Sequence, residues 1–205
     1  MRNAAGVMKL LLATRNHHKA AEIRAILRAP EGAILTAEEF PWLPDVVEDG
    51  ATFEENAAKK ATALARATGL WALADDSGLE VDALDGAPGV FSARYAGEPA
   101  NYEANNRKIL ERMEGVADRR ARFRCVLALS DPAGQVRTVE GRCEGVLIRE
   151  PRGRHGFGYD PLFVPDGYTQ TFAEMDGELK NRISHRAAAL RRAAQAWADI
   201  ISAQA

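Results

Sequence analysis

The spacing of hydrophobic residues along the chain predicts a mixture of helices and strands. Apolar residues recur at helical spacing after Asn16, from Thr52 as far as Gly69, and over residues 102–113 and 184–202. Short apolar or alternating runs, bounded by polar or glycine-rich turns, predict β-strands. These runs cover residues 9–13, 70–74, 79–84, 123–129, 136–141 and 143–148. The sequence DDSG, at residues 75–78, predicts a turn directly after the strand at residues 70–74.

The order of these elements predicts the fold class. Helices are interspersed with strands, and two pairs of strands follow each other like hairpins. This order indicates an α/β protein with a mixed β-sheet and flanking helices. The length of 205 residues suits one domain with a large core, which we expect to occupy residues 9–205. Residues 1–8 are expected to form an N-terminal extension without fixed structure.

The composition disfavours several classes of protein. A formal net charge of −2 argues against a dedicated nucleic-acid binder, which normally carries a basic surplus. No apolar run approaches the roughly 20 residues that cross a bilayer, so no membrane association is expected. Cys125 and Cys143 do not form a C-x-x-C motif, and they indicate free thiols in a reducing compartment. We therefore expect a cytoplasmic protein.

The segment TRNHHK, from Thr14 to Lys19, joins a predicted strand to a predicted helix. Backbone N–H groups and the positive end of the helix dipole meet at a helix start, where together they can hold an anion. Lys19, in the first turn, adds a positive charge. A capped helix with a solvated lysine explains the same residues, so this segment alone leaves both interpretations open.

Two adjacent carboxylates follow the strand that ends near Ala74. Asp75 and Asp76 point to opposite faces of an extended chain, so only one of them can enter a given site. One of these acids and Glu48, from another segment, are enough for a hard cation such as Mg²⁺, which keeps water and phosphate oxygens as further ligands. An Asx turn at a strand end is the alternative.

The sequence GFGYDP, at residues 156–161, places an aromatic ring among flexible neighbours. Phe157 lies between two glycines, where its ring can stack on a nucleobase. The glycines would also let the edge of a base approach the backbone. The alternative is a buried phenylalanine that plugs the loop against the sheet.

The sequence LKNRISHR, at residues 179–186, brings three basic residues to the start of the last predicted helix. They are Lys180, His185 and Arg186, with Ser184 as the expected N-cap. Exposed cations on a capped helix are the alternative. Acids for a metal, cations for phosphates and an aromatic ring for a base together indicate a nucleoside triphosphate as the ligand.

The same segments resemble the inosine triphosphate pyrophosphatase family, the hydrolases of non-standard purine nucleotides. The resemblance covers residues 9–199 and rests on five segments in the right order: LLLATRNHHKAAEIRAIL, EDGATFEENAAKKA, ADDSGLEVDALDGAPGVFSARYAG, GFGYDPLF and ISHRAAAL. It implies an elongated, two-lobed mixed sheet with flanking helices and a nucleotide cleft between the lobes. It also implies a homodimer that uses Mg²⁺ to cleave ITP, dITP and XTP to the monophosphate and pyrophosphate.

The resemblance also implies roles for individual residues. Asp76 would bind the metal and activate water as the catalytic residue, with Glu48 as a second metal ligand and Asp75 in support. The residues implied to bind substrate are Thr14, Arg15, Asn16, His17, His18, Lys19, Ser77, Phe157, Gly158, Tyr159, Asp160, Lys180, His185 and Arg186.

Two positions and two functions stay open. Many relatives have glycine where this chain has Arg15, whose side chain could face solvent or contact a phosphate. Asp45 and Asp49 lie near Glu48, and any of the three could reach the metal. A general nucleoside triphosphatase and a nucleotide-binding regulator without turnover are the alternative functions, although the acids count against the regulator.

Overall fold

A computed structural model describes residues 9–28, 32–43 and 45–198 of the chain. The helices are α1 (His17–Leu27), α2 (Phe53–Thr68), α3 (Tyr102–Arg112), α4 (Gly177–Ile183) and α5 (His185–Ala196). The strands are β1 (Leu10–Leu12), β2 (Ile34–Thr36), β3 (Trp71–Val81), β4 (Arg120–Ser130), β5 (Val136–Leu147) and β6 (Phe163–Pro165). Two compact units are formed. Of the described residues, the first unit contains those from 9 to 76, 125–141 and 189–198, and the second contains 77–124 and 142–188.

The strands form a six-stranded sheet in the order β2-β1-β3-β4-β5-β6. β1 runs parallel to both of its neighbours, so that Leu11 lies opposite Leu35 in β2 and Ala72 in β3. β5 and β6 are antiparallel, with Val146 opposite Val164. The presence of parallel and antiparallel pairs confirms the predicted α/β fold with a mixed sheet and helices.

The core of the first unit is aliphatic. Leu12, Leu127 and Ile23 are almost completely buried, and they pack in one cluster with Leu190 and Trp197. Leu190 and Trp197 thus mark the face of the last helix that packs inwards. That helix is described only as far as residue 198, so the end predicted at residue 202 lies outside the described residues.

The core of the second unit is built around stacked aromatic rings. The ring of Phe123 lies 4.8 Å from that of Phe163 and 5.9 Å from that of Phe172, measured between centroids. Ile109 from α3 and Leu162 are fully buried in the same cluster. Burial of such large side chains supplies most of the favourable free energy of folding in a unit of this kind.

The helix ends follow the capping residues in the sequence. The Asn16 side chain accepts hydrogen bonds from the first turn of α1, and Ser184 accepts one from Ala187 in α5. Gly69 ends α2 in the left-handed conformation that glycine adopts easily. Thr52 is the N-cap of α2. Thr52 Oγ1 accepts from the Glu55 N–H, but the Glu55 carboxylate accepts from the N–H of Ala51.

The turn predicted at residues 75–78 is wrong, because β3 runs without interruption from Trp71 to Val81. Asp75 and Asp76 therefore lie inside a strand and are both buried. The chain can stay extended because the Asp75 carboxylate has partners in the protein interior, described below. The two strands predicted at 136–141 and 143–148 are likewise one strand, β5, since a single residue between them cannot form a hairpin turn.

Three short elements were not predicted: β2, β6 and α4. Each of these strands has three residues, too few for a periodic pattern to emerge. Helix α4 begins after Asp176, whose side chain accepts from the Leu179 N–H, and it ends at Ser184, which has an extended backbone. Ser184 therefore separates two helices as well as capping the second.

Two predictions concern the ends of the chain and the membrane. The predicted extension at residues 1–8 lies outside the described residues. Within the described ranges, none of the helices has the length and apolar character that a membrane span requires.

Candidate active site

Several of the residues predicted to bind substrate and metal belong to two clusters, one in each unit. The acidic cluster, in the first unit, comprises Lys19, Glu48, Lys60, Asp75 and Asp76. The aromatic cluster, in the second unit, comprises Ser77, Phe157, Asp160, Lys180 and Arg186. β3 contributes to both, because Asp76 and Ser77 are consecutive residues of that strand.

The segment that leads from β1 into α1 is a capped helix start, as predicted. Asn16 Oδ1 accepts from the N–H groups of His18 and Lys19, at 3.0 and 3.1 Å. The N–H of Asn16 donates to Thr14 Oγ1 at 3.1 Å. Several N–H groups that could have faced an anion are therefore already bonded within the segment. Its capacity to attract a phosphate rests more on the helix dipole and on Lys19.

The charged side chains of this segment point in different directions. Arg15 donates to the Leu43 carbonyl at 2.8 Å and pairs with Asp45 at 3.0 Å. His17 is exposed and lies 3.1 Å from Glu38. Lys19 instead reaches a buried acid, Asp75. Lys19 is thus the side chain of the segment that joins the acidic cluster, whereas Arg15 contacts the loop that follows residue 40.

Asp75 is held by two partners within the first unit. Its carboxylate is fully buried, with Oδ1 2.5 Å from Lys19 Nζ and Oδ2 accepting from the Cys125 thiol at 2.9 Å. An ionised carboxylate in the interior needs such partners, since an unpaired buried charge costs several kcal/mol. Asp75 therefore fixes Lys19.

Asp76 points to the opposite side of the strand and has a different environment. Its Oδ1 lies 3.4 Å from Lys60 Nζ. Its Oδ2 is buried and has no hydrogen-bond partner among the described residues. Burial raises the pKa of Asp76, an effect that the positive charges of Lys60 and Lys19 reduce and the negative charge of Glu48 reinforces.

Lys60 is the central residue of the acidic cluster, and the sequence did not reveal it. Its ammonium donates to Glu48 Oε2 at 3.0 Å and to the Asp75 carbonyl at 2.9 Å, in addition to the contact with Asp76. Lys60 is buried on α2, one turn before Leu64. This position on the apolar stripe of the helix was the available signal, because an unpaired lysine rarely faces a core.

The three acids near residue 48 are now distinguished by their partners. Asp45 is 87% exposed and pairs with Arg15, and Asp49 is 66% exposed and pairs with Lys59. Glu48, at 38%, turns inwards to Lys60. Burial opposes ionisation of Glu48, but the charges of Lys60 and Lys19 outweigh it and hold its pKa below the usual value. Glu48 is therefore the acid that shares an ammonium group with Asp76.

The acidic cluster fits a hard divalent cation. Glu48 and Asp76 offer carboxylate oxygens from two separate segments, and one buried oxygen of Asp76 has no partner in the described structure. Two carboxylates match the coordination of Mg²⁺, which retains water molecules and takes up phosphate oxygens. Among the described residues, no group of three or more His, Cys, Asp or Glu side chains is arranged for a metal. A cage made of protein ligands alone, of the kind that binds Ca²⁺ or structural Zn²⁺, is thus not found there.

In the aromatic cluster, Asp160 shapes the loop that carries Phe157. Asp160 Oδ2 accepts from the Phe157 N–H at 2.8 Å and lies 2.5 Å from Lys180 Nζ. A Cβ on Gly156, which has φ +74°, would lie 2.0 Å from the same oxygen. Glycine is required at position 156 both by this close approach and by the left-handed backbone.

Two buried cations lie near the ring of Phe157. Lys180 Nζ is 5.0 Å and Arg186 Cζ is 6.0 Å from its centroid. Arg186 also donates to Ser77 Oγ at 3.0 Å. Lys180 was predicted beside the phosphates, yet its neighbours here are Asp160 and the rings of Phe157 and Phe172. The predicted contact of Lys180 with substrate stays a prediction.

His185 is buried and stacks on Phe123, with 4.8 Å between ring centroids and 13° between ring planes. Tyr159 is also buried and donates its hydroxyl to the Ser92 carbonyl at 2.9 Å. Both contacts are made within the second unit. The predicted contact of His185 and Tyr159 with substrate stays a prediction.

A mixed α/β fold with a buried acid pair, a capped helix start and an aromatic loop defines the class of nucleotide hydrolases to which the sequence pointed. The Ham1 family model matches residues 10–196, and the chain belongs to that family. The resemblance drawn from the five sequence segments is thereby confirmed.

Relatives of known sequence agree along nearly the whole chain. A dITP/XTP pyrophosphatase of Desulforamulus reducens is 56% identical over 188 residues, which are 91% of this chain and 94% of that protein. A dITP/XTP pyrophosphatase of Geobacter sulfurreducens is 54% identical over 184 residues, covering 89% and 92%.

Solved structures show the same fold. The HAM1 protein of Coxiella burnetii has a TM-score of 0.85 and 44% identity, and the match covers 94% of this chain and all of that one. A nucleoside-triphosphatase, or dITP/XTP pyrophosphatase, of Mycobacterium abscessus has a TM-score of 0.74 and 42% identity, covering 91% and 98%.

Proposed function

We propose that this protein hydrolyses non-standard purine nucleoside triphosphates, namely dITP, XTP and ITP, to the monophosphate and pyrophosphate. The observation that carries the proposal is the buried Asp76 carboxylate, with one oxygen lacking a partner in the described structure, beside Glu48 and Lys60. The names of the relatives support the choice of substrate, since those from Desulforamulus and Geobacter are called dITP/XTP pyrophosphatases.

Glu48 and Asp76 would hold a divalent cation, which we propose is Mg²⁺. When bound, the cation would screen the negative charge of the triphosphate and stabilise the pyrophosphate as it leaves. Lys60 keeps Glu48 ionised and brings the two acids together. Without that ammonium, their mutual repulsion would favour protonation of one of them.

Asp76 is the residue proposed to accept a proton from the attacking water. The water oxygen forms a bond to the α-phosphorus, and the bond from that phosphorus to the oxygen of the leaving pyrophosphate breaks. The proton of the water passes to the Asp76 carboxylate. A general base works best when its pKa lies near the working pH. Burial raises the pKa of Asp76 and so moves it towards neutral pH. Cys125 positions Asp76 indirectly, because its thiol donates a hydrogen bond to Asp75, the preceding residue of the strand.

Lys19 and the start of α1 are proposed to attract the triphosphate. The Lys19 ammonium is held by Asp75 at the first turn of the helix, where the positive end of the helix dipole adds to its charge. The remaining polar residues of the segment, Thr14, Asn16, His17 and His18, would contribute backbone and side-chain donors.

The aromatic cluster is proposed to recognise the base. The ring of Phe157 offers a stacking surface. Arg186 has only donors, so it suits the 6-oxo group of hypoxanthine and xanthine and opposes the 6-amino group of adenine. Its bond to Ser77 orients the guanidinium, and the Asp160–Lys180 pair holds the loop that carries Phe157.

We further propose a cytoplasmic homodimer. The family resemblance supports the dimer, and the free cysteines support a reducing compartment. Light scattering coupled to size-exclusion chromatography tests the dimer directly, through a mass near twice the 22.3 kDa of the chain.

The decisive experiment is a panel of purine triphosphates assayed with separate detection of pyrophosphate and orthophosphate. The expected result is one pyrophosphate for each XTP or dITP consumed, slow turnover of ATP and GTP, and no turnover when EDTA removes divalent cations. Release of orthophosphate would identify a general nucleoside triphosphatase. Binding without turnover in the presence of Mg²⁺ would identify a regulator.

A further inference from the structure

Asn106 in α3 makes a long-range contact with the loop that carries Phe157. Its side-chain Nδ2 donates to the Gly158 carbonyl at 3.1 Å, across 52 positions in sequence. Gly156 and Gly158 have φ values of +74° and +63°. Because glycine tolerates many backbone conformations, the peptide bond after Gly158 depends on outside contacts for its orientation.

The part of α3 that carries Asn106 is fixed to the rest of the second unit. The preceding residue, Asn105, accepts from the Ala96 N–H at 2.7 Å and donates to the Ala93 carbonyl at 2.9 Å. Tyr159, on the other side of Gly158, is fastened through its hydroxyl to the Ser92 carbonyl. Helix and loop are thus tied to one segment, and Asn106 acts on the loop from a rigid support.

A second contact comes from the same face of α3. Tyr102 lies one turn before Asn106, and its ring centroid is 6.2 Å from that of Phe157, with a tilt of 47°. α3 therefore borders both the aromatic ring and the adjacent backbone of the loop.

The carbonyl oxygen of the Asn106 side chain indicates that this residue has a role besides packing. Its Oδ1 is buried and has no hydrogen-bond partner among the described residues. Such an acceptor destabilises a protein, and an apolar side chain of similar size would remove that cost while losing the bond to Gly158. The donor on Nδ2 is what an apolar side chain lacks.

We propose that Asn106 is a positioning residue that determines purine selectivity at C2 of the base, an inference that rests on the proposed function. A trans peptide is planar, so holding the Gly158 carbonyl also directs the Tyr159 N–H to the opposite side. A fixed N–H can donate to the 2-oxo group of xanthine, tolerates the hydrogen at C2 of hypoxanthine and opposes the 2-amino group of guanine, which is also a donor. If that peptide were free to rotate, its carbonyl could accept the guanine amino group.

The test compares Asn106→Leu with the wild type and with Arg107→Ala, a change at the exposed neighbouring position of α3. The values of kcat/KM are measured for XTP, GTP and dITP. In Asn106→Leu, the ratio of GTP to XTP should rise about ten- to hundredfold, the effect of one mismatched hydrogen bond. Activity on dITP, which has only hydrogen at C2, should change little, and Tm should stay close to that of the wild type, because the lost bond and the removed unpaired acceptor act in opposite directions. Arg107→Ala should match the wild type throughout.

An unchanged ratio of GTP to XTP, or an equal loss for all three substrates together with a lower Tm, would overturn the role of Asn106. If Asn106→Leu does not fold, Asn106→Ala takes its place. Calorimetric titration with XMP, IMP and GMP measures the same selectivity without turnover. A wild type that binds XMP over GMP but hydrolyses nothing would refute the proposed function alone. A wild type that binds XMP and GMP equally would overturn the inference about Asn106.

Discussion

The ammonium of Lys60 lies 3.0 Å from Glu48 Oε2 and 3.4 Å from Asp76 Oδ1, so that one buried cation joins two acids from different segments. The same group donates to the Asp75 carbonyl, which anchors it to the strand. Two carboxylates at such close range would otherwise repel each other, and one of them would take up a proton. Lys60 therefore sets the charge state of the proposed metal site.

Replacing Lys60 with methionine, which keeps most of the apolar stem and removes the charge, should lower kcat/KM for XTP at pH 7 by about ten- to hundredfold, the effect of one lost charge-assisted contact. The pKa values of Asp76 and Glu48 should both rise, because the positive charge that favours their ionised forms is gone. Since both acids must be ionised to hold a cation, the acidic limb of the pH–rate profile should move to higher pH. Measurement of kcat/KM from pH 5 to 10 checks this shift.

Lys59→Met is the matched control for this prediction. Lys59 is the neighbouring residue of α2, but its partner is the exposed Asp49. Its replacement should leave the pH–rate profile in place. If both variants lose activity equally without a shift of the profile, Lys60 does not control the ionisation of the acids.

Asp76→Asn should reduce kcat by about two to four orders of magnitude, since it removes the proposed metal ligand and proton acceptor. It should also raise Tm at pH 8, because the amide carries no charge for burial to disfavour. The sign follows from the raised pKa. The folded state favours the protonated acid, so ionisation above that pKa destabilises the fold, and the uncharged amide removes this effect.

The stability difference between the two proteins should vanish at low pH, where Asp76 is protonated in the wild type as well. Thermal melts at pH 4 and pH 8, in the presence of EDTA, provide the comparison. Asp49→Asn changes an exposed acid of the same region and should not affect kcat. A Tm for Asp76→Asn below that of the wild type at pH 8 would contradict the destabilising role given to the charge.

The sequence predicted the long elements of the fold because their signals are local. The stripe of α2 and the caps at Asn16 and Thr52 involve residues within one or two turns of each other. The course of β3 depends instead on distant partners: Lys19 and Cys125 supply contacts to Asp75 that no local pattern contains. A pair of aspartates followed by Ser-Gly is typical of a turn only if those aspartates face water.

The same distinction holds for the site. Asp76, Phe157 and Arg186 could be found by resemblance, since they lie in segments with a recognisable order. Lys60 was missed because a lysine in a charged helix resembles a solvated one until its position on the buried face is known. The choice among Asp45, Glu48 and Asp49 likewise required the side-chain partners, which spacing alone does not give.

Arg15 holds the loop that leads to Glu48, and its replacement should loosen that loop. Arg15→Ala should increase the local motion of Trp42, which is 62% exposed and adjacent to the Leu43 carbonyl that Arg15 binds. The concentration of Mg²⁺ for half-maximal activity should rise about twofold, since an exposed ion pair contributes roughly 0–1 kcal/mol. Time-resolved fluorescence anisotropy and a Mg²⁺ titration of activity measure the two effects.

Arg15→Lys separates the two roles that the sequence left open. Lysine keeps the positive charge but lacks the planar group that binds Leu43 and Asp45 at once. If Arg15 fastens the loop, the lysine variant should behave like the alanine variant. Wild-type behaviour of Arg15→Lys would instead indicate that only the charge matters, as expected for a phosphate contact.

Arg186 is expected to distinguish a 6-oxo from a 6-amino purine. It is 1% exposed, donates to Ser77 Oγ and lies near the ring of Phe157. A buried donor that meets a 6-amino group leaves two donors facing each other, which costs about 1–3 kcal/mol, or about ten- to hundredfold in kcat/KM. In Arg186→Met, which preserves most of the volume, the ratio of ITP to ATP should fall by that factor, chiefly through loss of ITP. Arg191→Met, at an exposed position of the same helix, is the control. The values of kcat/KM for ITP, XTP and ATP on the three proteins decide the matter, and an unchanged ratio of ITP to ATP would remove Arg186 from base recognition.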